Sequence, residues 1–500
     1  MKAKYILTII TFQLLVLPCL GQNDFTFKLG PKIKTKNSIV EFIYADNSHV
    51  ILRDEKVKSD RLVIYKNLVP TIKPLSLFYQ EDGFAYNEKN FFHTKILTGV
   101  MKSKIENMEA AVINKKTFRD GTFNEINTGD YSEMKRHKYD FPVLKWSEND
   151  MRCAYHRPFY AKVDGIPQPE QIEISVLDEN LELVWNVTSV DDLDLPLYFG
   201  IKKIAVSEKG EVAMLFIDKM RRGTASSSTS SREMGLINSE KPTLTKLVLL
   251  DENGTIVYSQ DIEKLGAATS LKFDTTGNFQ LAASIGRYTE EVYFLEYDFD
   301  KKEIVRSFSG KIDSDYEKQG FTEKGLKSIE DFRRTKNYGI DLTSINYEVL
   351  SDGSIIFFGE RDRGYSIGEG YTLRYTAELC VFSLDSQGDF SWGLKIPKEA
   401  TIYSGDRSFS HVTDQEGNIH FVFDYNTKYY DSESSKKCIT SAILNTKEKK
   451  LNFETLLTYE KVDKRTFIEC GYSGKSRNSN DLYLSIGGSG YHRLAKYSVD

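Results

Sequence analysis

Short runs of alternating apolar and polar residues recur along the whole chain, each stopped by a cluster of Asp, Asn, Ser, Gly or Lys. Residues 350–360, LSDGSIIFFGE, are one instance: an apolar run, a turn at Ser351, Asp352 and Gly353, and a second, nearly apolar run. Period-two alternation puts every second side chain on one face of a pleated strand, and Gly or Asn supplies the positive φ that a tight turn needs. The pattern predicts antiparallel hairpins from end to end.

The hairpins fall into two alternating classes. The inner class reads VEFIYADNSHVIL, LSLFYQEDGFAY, PVLKWSENDMRCAY, IAVSEKGEVAMLF, LKFDTTGNFQLAA, YEVLSDGSIIFFGE, SHVTDQEGNIHFVF and IECGYSGKSRNSNDLYLSI. The outer class falls between them and reads LVIYKNLVPTIKPL, AVINKKTFRDGTFNEI, EISVLDENLELVWNV, KLVLLDENGTIVYSQ, FLEYDFDKKEIVRSF, CVFSLDSQGDFSWGL and SAILNTKEKKLNFETLL. One of each makes a four-stranded unit, the size of a propeller blade. Eight inner hairpins face seven outer ones, and the C-terminal HRLAKYSV supplies a third strand without a fourth. The N-terminal DFTFKLG (24–30) is the missing strand. Sharing one blade between both ends of the chain closes the ring and removes exposed sheet edges. The expected fold is all-β: a single β-propeller over 22–500 with eight four-stranded blades, or seven if the first two units merge.

The pieces DTTGNF (274–279) and DQEGNI (414–419) resemble turns of NHL-repeat and related bacterial exported propellers. The resemblance covers these hairpins alone; it implies the fold and lends no functional residues.

Lys2 and Lys4, an apolar run over 5–17, Pro18 and a small-residue exit at Gly21 describe a signal peptide, 1–21, with Gln22 as the first mature residue. Attachment of a lipid at Cys19 is the alternative, and Pro18 fits it poorly because that signal needs a small residue before the cysteine. No later run reaches the about 18 consecutive apolar residues of a membrane helix, so no transmembrane segment is expected. An exported protein, periplasmic or extracellular, follows. Charges are mixed, 67 Lys and Arg against 72 Asp and Glu, with no basic stripe, so nucleic acid is not an expected partner. With 30 Phe and 29 Tyr but only 11 Pro, the composition is that of a packed β-rich chain rather than a disordered one. Cys153, Cys380, Cys438 and Cys470 each sit within a strand-like run, where a free thiol behaves as a small buried apolar group; export leaves disulfide pairing as the other reading.

The turns joining first to second and third to fourth strands are tight. The long segments are 157–169, 219–241, 361–376 and 425–437, between second and third strands, and 311–341, between two units. In a propeller these lie on one face, and long loops on a rigid scaffold are where binding residues concentrate. Segment 321–332 spaces Phe321, Leu326, Ile329 and Phe332 for a short helix. The most site-like stretch is GERDRGYSIGEGYTLRY, where Arg361, Arg363 and Arg374 suit paired contacts to carboxylate or phosphate and Tyr365 and Tyr371 offer stacking surface. Arg157 with Tyr160, Arg287 with Tyr288, and Tyr429 occupy comparable places in other units.

Catalytic signatures are missing from the sequence. GYSGKSR (471–477) lacks the first glycine of a phosphate loop, which is Glu469 here, and no nucleophile elbow or His-Glu-x-x-His helix is present. The acidic turns at 191–194 and 313–315 lack calcium-loop spacing, so neither a metal nor a cofactor is expected. These observations predict a non-enzymatic propeller binding a protein, peptide or glycan on its loop-rich face. The alternatives are a carbohydrate-active hydrolase or lyase with its site at the central channel, whose carboxylates linear sequence cannot bring together, and a structural component of an envelope assembly.

Overall fold

The recurrent turn has one construction in seven places. In the turns starting at Asp178, Ser207, Asp251, Asp274, Leu350, Asp385 and Asp414, the first residue's N–H donates to the carbonyl four positions on, and its own carbonyl accepts from the N–H three positions on. That third position has positive φ in all seven: a glycine in six turns, and Leu181 with φ 67° in the seventh. In the turns led by Asp178, Asp251, Asp274 and Asp385 the Asp oxygen accepts from two further backbone N–H groups, as Asp251 does from Asn253 and Thr255 at 3.0 and 2.9 Å. Side chain and backbone therefore specify the same turn, and that turn sets the register of each hairpin.

The computed structural model describes residues 25–34, 39–45, 49–55, 61–74, 83–86, 91–98, 105–112, 124–125, 143–147, 152–163, 166–188, 199–218, 244–263, 265–285, 291–313, 316, 342, 344–366, 372–401, 409–426, 437–458, 467–468, 473–476, 479–488 and 491–499. After β1 (Phe25–Leu29) and β2 (Ile33–Lys34), the strands follow in groups of four. They are β3–β6 (Ile39–Ala45, His49–Glu55, Arg61–Lys66, Val69–Pro74), β7–β10 (Gly83–Tyr86, Phe91–Thr98, Ile105–Val112, Asn124–Glu125) and β11–β14 (Val143–Trp146, Arg152–Val163, Ile166–Asp178, Leu183–Thr188). Next come β15–β18 (Phe199–Val206, Val212–Asp218, Leu244–Leu250, Ile256–Glu263) and β19–β22 (Leu265–Phe273, Phe279–Ile285, Glu291–Asp298, Glu303–Lys311). The last two groups are β23–β26 (Asn346–Val349, Ile355–Ser366, Thr372–Leu384, Phe390–Thr401) and β27–β30 (Phe409–Thr413, Ile419–Asn426, Lys437–Asn445, Lys450–Thr458). The chain finishes with β31 (Phe467–Ile468), β32 (Gly474–Lys475), β33 (Asp481–Gly488) and β34 (Tyr491–Val499).

Each group of four is one antiparallel sheet, and the last strands form a further sheet in which β1 and β2 both pair with β34. Phe27 lies opposite Tyr497 and Leu29 opposite Ala495, and Gly30 N–H donates to Leu494 O at 2.8 Å. The N-terminal strand thus joins the C-terminal sheet, as the hairpin count predicts. One hairpin differs from expectation. LSLFYQEDGFAY reads as a complete hairpin turning at 80–83, but Gly83–Tyr86 is a first strand that pairs with Phe91–Thr98. Two polar clusters flank GFAY, and local periodicity cannot choose which of them is the turn.

Apolar faces of successive sheets pack together. Val206 and Met214 meet Ala154, Ile174 and Val176; Phe279 and Leu295 meet Leu215 and Leu247; Phe357 and Phe382 meet Phe294; and Phe421 and Phe423 meet Ile356 and Phe358. Second and third strands such as IIFF are apolar on both faces because a neighbouring sheet covers each face. First strands approach their neighbours, β11 against β15, β15 against β19, and β3 against β32. Fourth strands are outermost and carry the exposed apolar residues Val69, Leu183, Val184, Ile304, Val305 and Phe453. This is a β-propeller topology. Cys380 and Cys438 are buried free thiols, while Cys470 and the side chain of Cys153 lie outside the described residues.

Two histidine networks cross the sheet seams. His420 Nδ1 lies 2.7 Å from Tyr497 OH, His420 Nε2 lies 3.1 Å from Asp414 Oδ2, and Ser441 Oγ lies 2.9 Å from the same tyrosine oxygen. Phe25 of β1 stacks on Tyr497 with ring centroids 5.0 Å apart. At the next seam His492 bridges Tyr65 OH at 3.2 Å and Ser485 Oγ at 2.9 Å. All these polar groups are buried, where a partnered group is tolerated and an orphaned one is costly.

Candidate functional site

The described residues of segments 157–169 and 361–376 prove to be strand. β24 and β25 continue as a paired ribbon as far as Ser366 opposite Thr372, whereas β23 covers β24 only as far as Phe358 and β26 covers β25 as far as Tyr375. Likewise β12 and β13 stay paired to Val163 opposite Ile166, while β14 stops opposite Glu173. Backbone pairing along these stretches satisfies amides that a long open connection would leave unpaired. Pro167 and Pro169 remove N–H donors from the β13 edge of its arm, which blunts that edge against further pairing.

Register sorts the sequence-predicted residues. Arg363 lies opposite Tyr375 and Tyr365 opposite Leu373, so these four share one face of the β24–β25 arm. Arg374 lies opposite Gly364, on the other face with Asp362 and Thr376. Arg361 is opposite Glu378, on the sheet side of an irregularity between Arg361 and Asp362. The sequence cluster of three arginines is therefore split. On the second arm Arg157 lies opposite Glu173 and Tyr160 opposite Glu170; three positions apart on a strand, Arg157 and Tyr160 fall on opposite faces. Tyr371, Arg287, Tyr288 and Tyr429 lie outside the described residues, as do the predicted helix at 321–332 and the segments 219–241 and 427–436.

Sequence reasoning passed over a charged group at the root of the β24–β25 arm. Lys395 Nζ lies 3.8 Å from Glu378 Oε1, with side chains 3% and 1% exposed. The same ammonium lies 5.2 Å from the centroid of the Tyr316 ring. Tyr316 OH is 3.0 Å from Val381 O and 2.9 Å from Leu394 O, donating into the sheet from the link that follows β22. Burial pushes the Tyr316 phenol well above its ordinary value, so it stays a protonated donor. Its ring lies flat on Gly393, where a Cβ would come within 2.4 Å of it. Glu360, fully buried, sits one residue before the arm begins. The signal was present in the alternation: Glu378 is in phase with the core residues Cys380, Phe382 and Leu384, a position where a charge needs a partner.

Among the described residues no group of three or more His, Cys, Asp or Glu could hold a metal ion, and no helix is long and apolar enough to cross a membrane.

No protein-family model and no curated protein matches the chain. Solved structures with a similar chain course include a europium-containing methanol dehydrogenase, with TM-score 0.43, 8% identity and coverage of 94% of this chain and 93% of that one. The WD40 domain of SCAP from fission yeast gives 0.40, 9%, 96% and 99%, and oligogalacturonate lyase from Vibrio parahaemolyticus gives 0.35, 12%, 95% and 99%. At these scores the likeness assigns no activity, and the propeller assignment rests on the sheet topology of the chain itself.

Proposed function

We propose that residues 22–500 form an exported, non-enzymatic propeller whose sheets close into one eight-bladed ring, and that it binds a protein, peptide or glycan through the arms at its loop-rich end. Pairing of β1 with β34 supports closure, and the β7–β10 sheet supplies the unit between β6 and β11 in the chain. The observation that carries the binding role is the β24–β25 arm. It is a paired ribbon that outruns β23 and groups Arg363, Tyr365 and Tyr375 on one face. Arginine offers paired donors to carboxylate or phosphate, tyrosine a flat amphipathic contact at low entropic cost.

Affinity capture from envelope extracts, with the mature chain and its Arg363→Ala/Tyr365→Ala variant run in parallel, tests this. A partner held by the first and lost by the second, at unchanged thermal stability, supports the arm as the site. Partners retained equally by both chains remove it.

A further inference from the structure

Charge is segregated between the inner edge of the sheets and the rest of the protein. The chain carries a net charge of −5. Its first strands, together with β31 and β32, hold five lysines (Lys145, Lys202, Lys203, Lys272 and Lys475) against two glutamates, Glu41 and Glu348, with no arginine or aspartate. Several cations elsewhere are paired with carboxylates, as Lys209 with Asp300 at 2.7 Å, Arg306 with Glu296 at 2.9 Å and Lys496 with Asp481 at 2.7 Å, while Arg493 donates to Gly30 O. The contacts of Lys202 and Lys272 are of another kind. Lys202 Nζ donates to Gly266 O of the next first strand. Lys272 Nζ donates to Tyr347 O at 3.3 Å and lies 4.2 Å from the centre of the Tyr347 ring. Carbonyls and an aromatic face orient an ammonium but leave its charge uncancelled.

The placement of Lys202 is built into the backbone. The register of β15 on β16 shifts between Ile201 and Lys203, so Lys202 is the extra residue of a bulge. A bulge re-aims one side chain without breaking the sheet, and here it turns the lysine toward β19. From these observations we infer that the inner edge of the propeller is a binding site for a small multivalent anion bearing carboxylate or phosphate groups, with Lys202 and Lys272 among its ligating cations.

A second property of Lys202 makes the site readable. Burial, with the adjacent Lys203, lowers its pKa to about 8. Titratable and charged groups on the elements around it are Lys203 on β15, Lys145 on β11, Arg152, His156, Arg157 and Lys162 on β12, Asp218 on β16 and Lys272 on β19. An anion at the inner edge favours the ammonium form and raises that pKa. Binding near pH 8 therefore takes up protons at Lys202, whereas at pH 6 the amine is already charged and adds no uptake to the proton the anion itself gives up.

Isothermal titration of the mature chain with citrate and, separately, with pyrophosphate, at low ionic strength in two buffers of different ionisation enthalpy, measures affinity and proton uptake together. The expected result is saturable binding of at least one anion, weakened by salt, with net proton uptake near pH 8 for citrate, which is fully ionised there, and a count at pH 6 lower than at pH 8 for either anion. Binding of citrate alone identifies a polycarboxylate ligand; binding of pyrophosphate alone, a phosphate ester. In Lys145→Gln/Lys202→Gln/Lys272→Gln affinity falls about tenfold or more, while Lys450→Gln, on an exposed fourth strand, leaves it unchanged. Failure of both anions to bind, a proton count for the bound anion that is no higher at pH 8 than at pH 6, or equal affinity in the triple variant overturns the assignment. The proton count needs no variant, so it decides the matter even if the triple substitution does not fold.

Discussion

Removal of one oxygen at the seam between the β27–β30 sheet and the terminal sheet tests what holds those two sheets together. Tyr497→Phe deletes the hydroxyl that lies 2.7 Å from His420 Nδ1 and 2.9 Å from Ser441 Oγ. It keeps the ring that stacks on Phe25. His420 is 1% exposed and Ser441 fully buried, so water cannot replace the lost partner without opening the seam. An orphaned buried polar group costs about 1–3 kcal/mol. Two are created, and the serine hydroxyl can rotate toward a backbone carbonyl, which puts its share at the low end. The expected loss is about 2–4 kcal/mol. Adding Ser441→Ala removes one orphan, so the double variant should be less destabilised than the sum of the singles by about 1 kcal/mol. Urea unfolding of the mature chain measures both quantities, and hydrogen exchange at β1 and β34 locates them. A loss under about 0.5 kcal/mol for Tyr497→Phe, or strict additivity with Ser441→Ala, refutes the view that this network is satisfied and buried.

Two further outcomes follow from the turns and the same network. Gly388 has φ 93° and a Cβ there would lie 2.7 Å from Phe308, whereas Gly277 has φ 91° with nothing within 4 Å. Gly277→Ala should cost only the conformational term, about 1–2 kcal/mol, and Gly388→Ala about 1–3 kcal/mol more from overpacking; equal thermal shifts for the two would show that Phe308 yields freely. Burial alone would raise the Asp414 carboxyl, but hydrogen bonds from Asn418 and His420 outweigh it and hold the pKa below its usual value. A carboxylate with a lowered folded pKa contributes stability above about pH 4 and loses it as pH falls through the folded value. Asp414→Asn should therefore flatten the acid limb of the stability curve, and an unchanged slope would remove Asp414 from the network.

Strand pairing inside the sheets was legible because it is local. In DTTGN and DENGT the aspartate that starts the turn and the glycine that takes positive φ are three residues apart, so a short window holds the whole specification. Where two polar clusters compete, as on either side of GFAY, the window does not decide and the hairpin shifts. The arms show another limit. Arg361, Arg363 and Arg374 are neighbours in sequence, yet cross-strand register divides them between faces, and register depends on backbone pairing that residue spacing alone does not reveal.

By its own alternation the sequence determined an all-β chain of paired hairpins whose first and last strands need each other. Tertiary structure alone decided which charges face the interior. It brings Tyr65 to His492 across 427 positions, sets Lys395 beside Glu378 beneath Tyr316, and carries Lys202 to Gly266 and Lys272 to Tyr347 on other first strands. A turn is specified by residues within bonding reach along the chain; a buried charge or a seam hydrogen bond is specified by whichever sheet packs against it. That neighbour is set by the summed apolar burial of many units rather than by any short segment.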